Sequence, residues 1–223
     1  MNIVEYPDQD MLAIDLANKI AGELETQLLN KETVSLAVPG GSTPGVIFDD
    51  LCAADLDWER VHVMPTDERW VPNTHHRSNE RLIRERLLVN RAAKALYLPL
   101  HTPADRPEDV LAELESVIAP ELPISVLLLG MGADMHTASL FPGAEGLQTA
   151  LDPAAPILSV LRSQTQPETR VSLSARVLDA AISKHLVIFG SKKREALEQA
   201  MSLPPEEAPV QAVLTETTVH WAN

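Results

Sequence analysis

The side chain best suited to move a proton in this sequence is that of His136, in segment 130–143 (GMGADMHTASLFPG). Imidazoles have an ordinary pKa of ~6.5, so a histidine can take a proton from water near neutral pH. Asp134 lies two residues before His136, and a carboxylate at this spacing can fix the tautomer of the ring. The pair predicts a general base in a loop after a strand, and the alternative is a purely structural histidine.

A second segment, 39–44 (PGGSTP), has the residue types of an anion-binding turn. Gly40 and Gly41 allow the backbone to approach an anion closely, and Ser42 and Thr43 offer hydroxyl donors. A helix predicted to begin here would add free N–H groups and the positive end of its dipole. The segment lacks the signatures of a Walker A loop and of a hydrolase nucleophile elbow. It predicts either a phosphate site or a plain tight turn with a helix N-cap.

Charged side chains follow other predicted strands. Asp67 and Arg69 come directly after the strand predicted at 61–66, and Arg69 offers a forked, permanent cation for phosphate. Arg170 and the cluster 192–194 (KKR) are the other cations near predicted strand ends. Lysines at a helix start oppose its dipole, which favours an anion ligand as the reason for them. The alternatives are a solvated charged turn after 61–66 and an exposed first helical turn at 192–194.

An alternation of helices and strands must position these segments. Apolar residues recur at helical spacing over 8–29, whereas 124–129 is uniformly apolar, as in a strand buried on both faces. Further strands are predicted at 33–38, 61–66, 96–100, 171–174, 185–189 and 218–221. Further helices are predicted at 78–90, 107–118 and 192–201, and one more is predicted to begin at residue 42. This pattern predicts one doubly wound α/β domain over 1–223. Ligands bind such sheets at the carboxyl ends of the strands, so the chemical segments are expected to meet at one crevice.

Composition excludes several classes of protein. The chain has 223 residues, 45% hydrophobic and 22% charged, which is ordinary for a globular domain. Its formal net charge of −14 argues against binding nucleic acid or anionic membrane, because the long-range field repels polyanions. A few cations and N–H groups are still enough to bind a small anionic substrate.

Other patterns bear on compartment and cofactors. The first ten residues lack the basic and apolar regions of a signal peptide, and no apolar run is long enough for a bilayer, so we expect a cytoplasmic protein. The remaining histidines lack the spacing of a zinc site. Met135 stands where a dinucleotide fingerprint would have its third glycine. We therefore expect neither a metal nor a cofactor.

Taken in order, these segments resemble the 6-phosphogluconolactonase family, within the wider group that includes glucosamine-6-phosphate deaminases. The matching fragments extend over nearly the whole chain: 39–44 (PGGSTP), 67–72 (DERWVP), 78–79 (SN), 130–143, 167–173 (PETRVSL), 190–193 (GSKK) and a tail resembling PVQAV…VHW. The resemblance implies a Rossmann-like three-layer α/β/α sandwich with a mostly parallel sheet. It also implies hydrolysis of 6-phosphoglucono-1,5-lactone to 6-phosphogluconate without a cofactor.

By the same resemblance, His136 is the general base and Asp134 is the acid beside it. The residues expected to bind substrate are Gly40, Gly41, Ser42, Thr43, Asp67, Arg69, Asn79, Arg170 and Lys193. The phosphate is expected near 41–43 and Arg69, with Lys193 or Arg170 completing its site. Backbone N–H groups of 130–137 are candidate donors to the oxyanion. Because the family usually has glycine where Met135 stands, we predict a left-handed backbone there.

Two alternatives remain at this point. A deaminase-like isomerase would carry an Asn-Glu-Pro-Gly segment after its histidine, whereas this chain has LFPG at 140–143 and lacks the ring-opening glutamate. The second alternative is a non-catalytic sugar-phosphate sensor on the same fold. The presence of His136 and Asp134 argues against it. The expected partner is a small sugar-phosphate lactone, and the expected state is a monomer or a weak homodimer.

Overall fold

The main feature of the fold is a seven-stranded sheet in which every neighbouring pair of strands is parallel. The computed structural model describes residues 1–223. With strands numbered in chain order, the sheet contains, from edge to edge, β1 (Asn2–Glu5), β10 (Thr218–Ala222), β9 (Ser183–Phe189), β6 (Val126–Gly130), β2 (Val34–Val38), β3 (Val61–Pro65) and β5 (Leu96–Tyr97). The strand order reverses between β2 and β6, and a crevice for a ligand is expected at such a switch point.

Helices cover both faces of this sheet. One face carries α1 (Gln9–Leu28), α2 (Gly45–Leu51) and α3 (Asn79–Arg86), and the other carries α4 (Leu111–Ile118), α5 (Leu147–Leu151), α6 (Ala175–Asp179) and α7 (Ser191–Ala200). Successive residues of β6 alternate between the two hydrophobic clusters, with Leu127 and Leu129 in one and Val126 and Leu128 in the other. The prediction of a strand buried on both faces, within a three-layer sandwich, is confirmed.

Helix α1 follows directly from its sequence pattern. Its buried residues recur at three- and four-residue spacing: Leu12, Ala13, Leu16, Ala17, Ile20, Leu24 and Leu28. Asp8 is the N-cap, and its carboxylate accepts a hydrogen bond of 2.8 Å from the N–H of Met11. None of the helices of this protein is both long enough and apolar enough to cross a membrane.

A second, antiparallel sheet lies apart from the first and departs from the sequence prediction. It has the order β4 (Asp67–Arg69), β8 (Arg170–Leu173) and β7 (Leu158–Leu161). The strand predicted at 171–174 is therefore real but belongs to this small sheet. Strands β1, β4 and β7 were not predicted, because they are short and β4 consists entirely of charged residues.

Several predicted element boundaries were wrong, including that of the helix predicted at 107–118, whose α-helical part begins at Leu111. The helix predicted from residue 42 begins at Gly45, with Pro44 as N-cap and no side-chain cap, so the hydroxyls of Ser42 and Thr43 are not used by the helix. The helix predicted to continue to 90 ends at Arg86. The strand predicted at 96–100 pairs only at Leu96–Tyr97, because it lies at the edge of the sheet and has β3 as its one neighbour.

Candidate active site

A crevice of about 300 Å³ opens at the carboxyl ends of β2 and β6, where the strand order reverses. Its lining comes from segment 39–44, from β4 and the start of α3, from the loop after β6, and from Gln166, Arg170 and Lys193. Every predicted substrate-binding residue lines it: Gly40, Gly41, Ser42, Thr43, Asp67, Arg69, Asn79, Arg170 and Lys193. His136 lines it too, whereas Asp134 reaches the crevice only through its contact with His136.

The His136–Asp134 pair is held by a short side-chain contact and by a longer hydrogen bond from the N–H of His136 to Oδ1 of Asp134. Nδ1 of His136 lies 2.5 Å from Oδ1 of Asp134, and the imidazole ring packs on Phe141 with ring centroids 4.4 Å apart. The hydrogen bond from His136 holds the pKa of Asp134 below its ordinary value, against the opposing effect of burial. Because Asp134 occupies Nδ1, the free nitrogen of the ring is Nε2, which makes no hydrogen bond to the protein.

The loop after β6 is folded tightly around this pair. The N–H of Gly132 donates to the carbonyl of His136 over 3.0 Å, and the N–H of Met135 donates to the carbonyl of Gly132, also over 3.0 Å. A Cβ on Gly132 would lie 2.2 Å from Nδ1 of His136, so only glycine fits at this position. Met135 has φ 65°, which confirms the left-handed conformation predicted for it.

Two arginines face each other across the pairing of β4 with β8. Arg69 is directly opposite Arg170 in this antiparallel ladder, and like charges so placed destabilise a sheet unless an anion or carboxylate offsets them. Nη1 of Arg170 lies 3.7 Å from Asp67, and the residue is only 4% exposed. The Nε atoms of both arginines are buried and have no hydrogen-bond partner. Burial also lowers the pKa of Arg170. The arrangement leaves unused N–H donors beside the crevice.

Lys193 is the one cation of cluster 192–194 that lines the crevice. It is half-buried in the first turn of α7 and makes no ion pair, and burial lowers its pKa. Arg194 instead pairs with Glu5 at 2.7 Å and with Glu198 at 3.0 Å, and Lys192 is exposed. Of the cations among which the sequence left the choice open, Lys193 and Arg170 line the crevice.

Asn79 joins the cationic side of the crevice, at Arg69, to its glycine-rich side, at Gly40. Its Oδ1 accepts from Nη1 of Arg69 over 2.5 Å, and its Nδ2 donates to the carbonyl of Asp67 over 2.7 Å. A Cβ on Gly40 would lie 1.8 Å from Oδ1 of Asn79, so the turn after β2 packs directly on this amide.

Sequence reasoning did not single out Gln166 or Phe141, although both line the crevice. Gln166 accepts a 2.8 Å hydrogen bond from Nη2 of Arg170, and Phe141 lies between that guanidinium and His136. Nothing in the local sequence around Gln166 signals its position. No group of three or more His, Cys, Asp or Glu side chains that could hold a metal ion occurs in the structure.

The fold and the crevice define an α/β protein with a His–Asp pair beside a cluster of cationic side chains at the carboxyl edge of its sheet. Residues 7–221 match the model of the family described as glucosamine-6-phosphate isomerases/6-phosphogluconolactonase, and the chain belongs to this family.

Relatives with a more specific name resemble the chain over almost its full length. It is 38% identical to the 6-phosphogluconolactonase of Rhizobium meliloti, over 100% of this chain and 98% of the relative. It is 40% identical to the 6-phosphogluconolactonase of Pseudomonas aeruginosa, over 92% of this chain and 88% of the relative. Among solved structures, a 6-phosphogluconolactonase from Shewanella baltica superposes with a TM-score of 0.96 at 31% identity, covering 100% of this chain and 98% of the other.

Proposed function

We propose that this protein is a 6-phosphogluconolactonase, which hydrolyses 6-phospho-D-glucono-1,5-lactone to 6-phospho-D-gluconate in the oxidative pentose phosphate pathway. The observation that carries the proposal is that one crevice is lined by His136, which is paired with Asp134, and by the two opposed arginines Arg69 and Arg170. Family membership and the names of the relatives support the same activity.

In the proposed mechanism His136 is the general base. Its Nε2 takes a proton from a water molecule while Asp134 holds the Nδ1–H, and the water oxygen attacks C1 of the lactone. The tetrahedral intermediate then collapses with cleavage of the bond from C1 to the ring oxygen. The imidazolium returns its proton to that oxygen, which becomes the hydroxyl of the open acid. A lactone carbonyl is already electrophilic, so no covalent nucleophile is required.

The oxyanion of this intermediate needs hydrogen-bond donors, and the loop after β6 is the candidate source. Within 130–137 the N–H groups of Gly132 and Met135 already bind carbonyl oxygens of the same loop, and the N–H of His136 donates to Oδ1 of Asp134 over 3.4 Å. We therefore assign the oxyanion to the remaining N–H groups of this segment.

The proposed phosphate site combines Arg69, Arg170 and Lys193 with the hydroxyls of Ser42 and Thr43. A phosphate dianion would offset the repulsion between the two opposed arginines, both of which line the crevice. Holding the far end of the sugar fixes C1 against the water, which lowers the entropic part of the barrier.

The deaminase-like alternative finds less support in this crevice. The segment that would carry a ring-opening glutamate is occupied here by buried Leu140 and Phe141, and Phe141 packs against His136. No observation favours a non-catalytic sensor over an enzyme.

We further propose one domain over 1–223, present as a monomer or weak homodimer in the cytoplasm, where anionic sugar phosphates are retained. Light scattering after size exclusion at micromolar concentration tests the oligomeric state. A tight, concentration-independent oligomer would contradict it.

The test is a coupled assay of lactone disappearance, corrected for spontaneous hydrolysis, with and without the 6-phosphate. We expect the phosphorylated lactone to be strongly preferred. His136→Ala should fold normally and lose activity on the order of 10²–10⁴-fold, as is usual for a general base. His76→Ala, at an exposed loop histidine, is the matched control. Near-normal turnover by His136→Ala would remove this residue from the mechanism.

The phosphate assignment is tested separately by Arg69→Ala. A charged hydrogen bond contributes roughly 1.5–3 kcal/mol, so binding of 6-phosphogluconate should weaken correspondingly. If calorimetry gives the variant the affinity of the wild type, Arg69 is not part of the anchor.

A further inference from the structure

Glu68 is a buried carboxylate directly behind the anion-binding side of the crevice. Side chains alternate between the two faces of a strand, so in β4 the crevice-lining Asp67 and Arg69 are on one face and Glu68 is on the other. Glu68 is only 1% exposed and makes no ion pair. A buried carboxylate without a cationic partner is costly unless hydrogen bonds satisfy it.

Four donors satisfy both oxygens of this carboxylate. Oε1 accepts from the backbone N–H groups of Arg69 over 2.7 Å and of Asn79 over 2.8 Å. Oε2 accepts from the N–H of Glu80 over 2.7 Å and from the hydroxyl of Ser78 over 3.2 Å. Burial raises the pKa of Glu68, and the N–H donors oppose that shift. The carboxylate therefore connects the end of β4 to the first turn of α3.

Capping α3 does not by itself account for Glu68. The hydroxyl of Ser78 already accepts from the N–H of Arg81, as an ordinary N-cap does. What Glu68 adds is a direct connection between the backbones of Arg69 and Asn79. The side chains of these two residues meet at 2.5 Å, and Asn79 also packs against Gly40.

We propose that Glu68 is a positioning residue for the anion site: by holding the backbones of Arg69 and Asn79 together, it sets the affinity for the substrate's phosphate without touching it. The identity of that substrate rests on the proposed function, whereas binding of the anion does not. Loss of Glu68 would move Arg69, Asn79 and the turn at Gly40 together, and would leave His136 and Asp134 in place on a different strand end.

The first test is Glu68→Gln, which keeps the shape and sets an NH₂ group against N–H donors. We expect KM for the phosphorylated lactone, and Kd for 6-phosphogluconate and for inorganic phosphate, to rise about tenfold, as for loss of one charged hydrogen bond. We expect kcat to stay within about threefold, because the catalytic pair is untouched. Turnover of unphosphorylated gluconolactone should not change.

Glu80→Gln is the matched control. Glu80 lies in the same helical turn and is 5% exposed, but its carboxylate pairs with Arg84 at 2.7 Å and contacts no crevice residue. It should retain wild-type KM and Kd. If Glu68→Gln does not fold, Glu68→Asp keeps the charge on a shorter side chain and should show the same selective rise in Kd.

Two outcomes would overturn the proposal. One is a folded Glu68 variant that binds both anions as tightly as the wild type. The other is an equal loss of kcat on both lactones, which would indicate a general structural lesion. Failure of the wild type to hydrolyse the lactone would instead refute the proposed function, and the inorganic phosphate titration would still test Glu68.

Discussion

At the residue scale, the proposed proton transfer depends on the 2.5 Å contact between His136 and Asp134. In that mechanism the carboxylate fixes which ring nitrogen carries a proton and stabilises the imidazolium formed when water is deprotonated. The lowered pKa of Asp134 keeps its carboxylate ionised at neutral pH, so the acceptor for the Nδ1–H of His136 is present there.

This assignment predicts the behaviour of Asp134→Asn, which keeps an acceptor for Nδ1–H and removes the charge. We expect kcat to fall on the order of tenfold or more. The neutral amide stabilises the imidazolium formed during water attack less than the carboxylate does. Steady-state kinetics in the coupled assay measure this, with Asp105→Asn at an exposed site as control. A kcat equal to that of the wild type would separate Asp134 from the base.

Met135 provides a second prediction at this scale. Its φ of 65° costs a non-glycine residue roughly 1–3 kcal/mol. We expect Met135→Gly to be at least as stable as the wild type, with activity kept, and more stable than Met135→Ala by about 1 kcal/mol. Urea unfolding measures both.

At Met201, where φ is −63°, the comparison should reverse, with alanine more stable than glycine. If alanine is also the more stable residue at position 135, the left-handed conformation stores no significant strain.

At the scale of elements, the chemistry depends on how strand ends become loops. The loop after β6 returns on itself so closely that the Cβ position of Gly132 overlaps the His136 ring, whereas Gly130, two residues earlier, has open space there. Gly132→Ala should therefore displace the pair and lower kcat on the order of 10²-fold, since misplacement of the base by about 1 Å has that effect. Gly130→Ala should lower it much less. If the coupled assay gives the two variants equal kcat, the crowding of His136 at Gly132 does not control the position of the base.

The second element-scale feature is the small antiparallel sheet. Its β4–β8 pairing brings Arg69 opposite Arg170, across about a hundred residues of sequence. Like charges directly opposite each other destabilise an antiparallel pair, and the proposed phosphate would offset that cost because both arginines line the crevice.

On the scale of the whole molecule, a formal charge of −14 surrounds a locally cationic crevice. The proposed base is a free imidazole, and no cluster of potential metal ligands accompanies it. We predict that activity survives exhaustive chelation. The check is turnover after dialysis against EDTA; loss of activity that one divalent ion restores would contradict the prediction.

Much of the fold could be predicted from sequence because its signals are local. The 3.6-residue spacing of α1 and the unbroken apolar run of β6 each depend on neighbours a few positions away. The left-handed backbone at Met135 was predictable by comparison with the glycine usual in the family, and the structure confirms it. Strand β4 was not predictable, since three charged residues carry no hydrophobic alternation.

The sequence by itself determined which residue types are available and after which strands they come: a histidine with a carboxylate two residues earlier, a glycine-rich turn, and scattered cations. Only the tertiary structure decided that Lys193 and not Arg194 lines the crevice, that Arg69 meets Arg170, and that Glu68 lies behind them. The physical reason is that strand register and side-chain packing join residues far apart in the chain. Local periodicity carries no information about those partners.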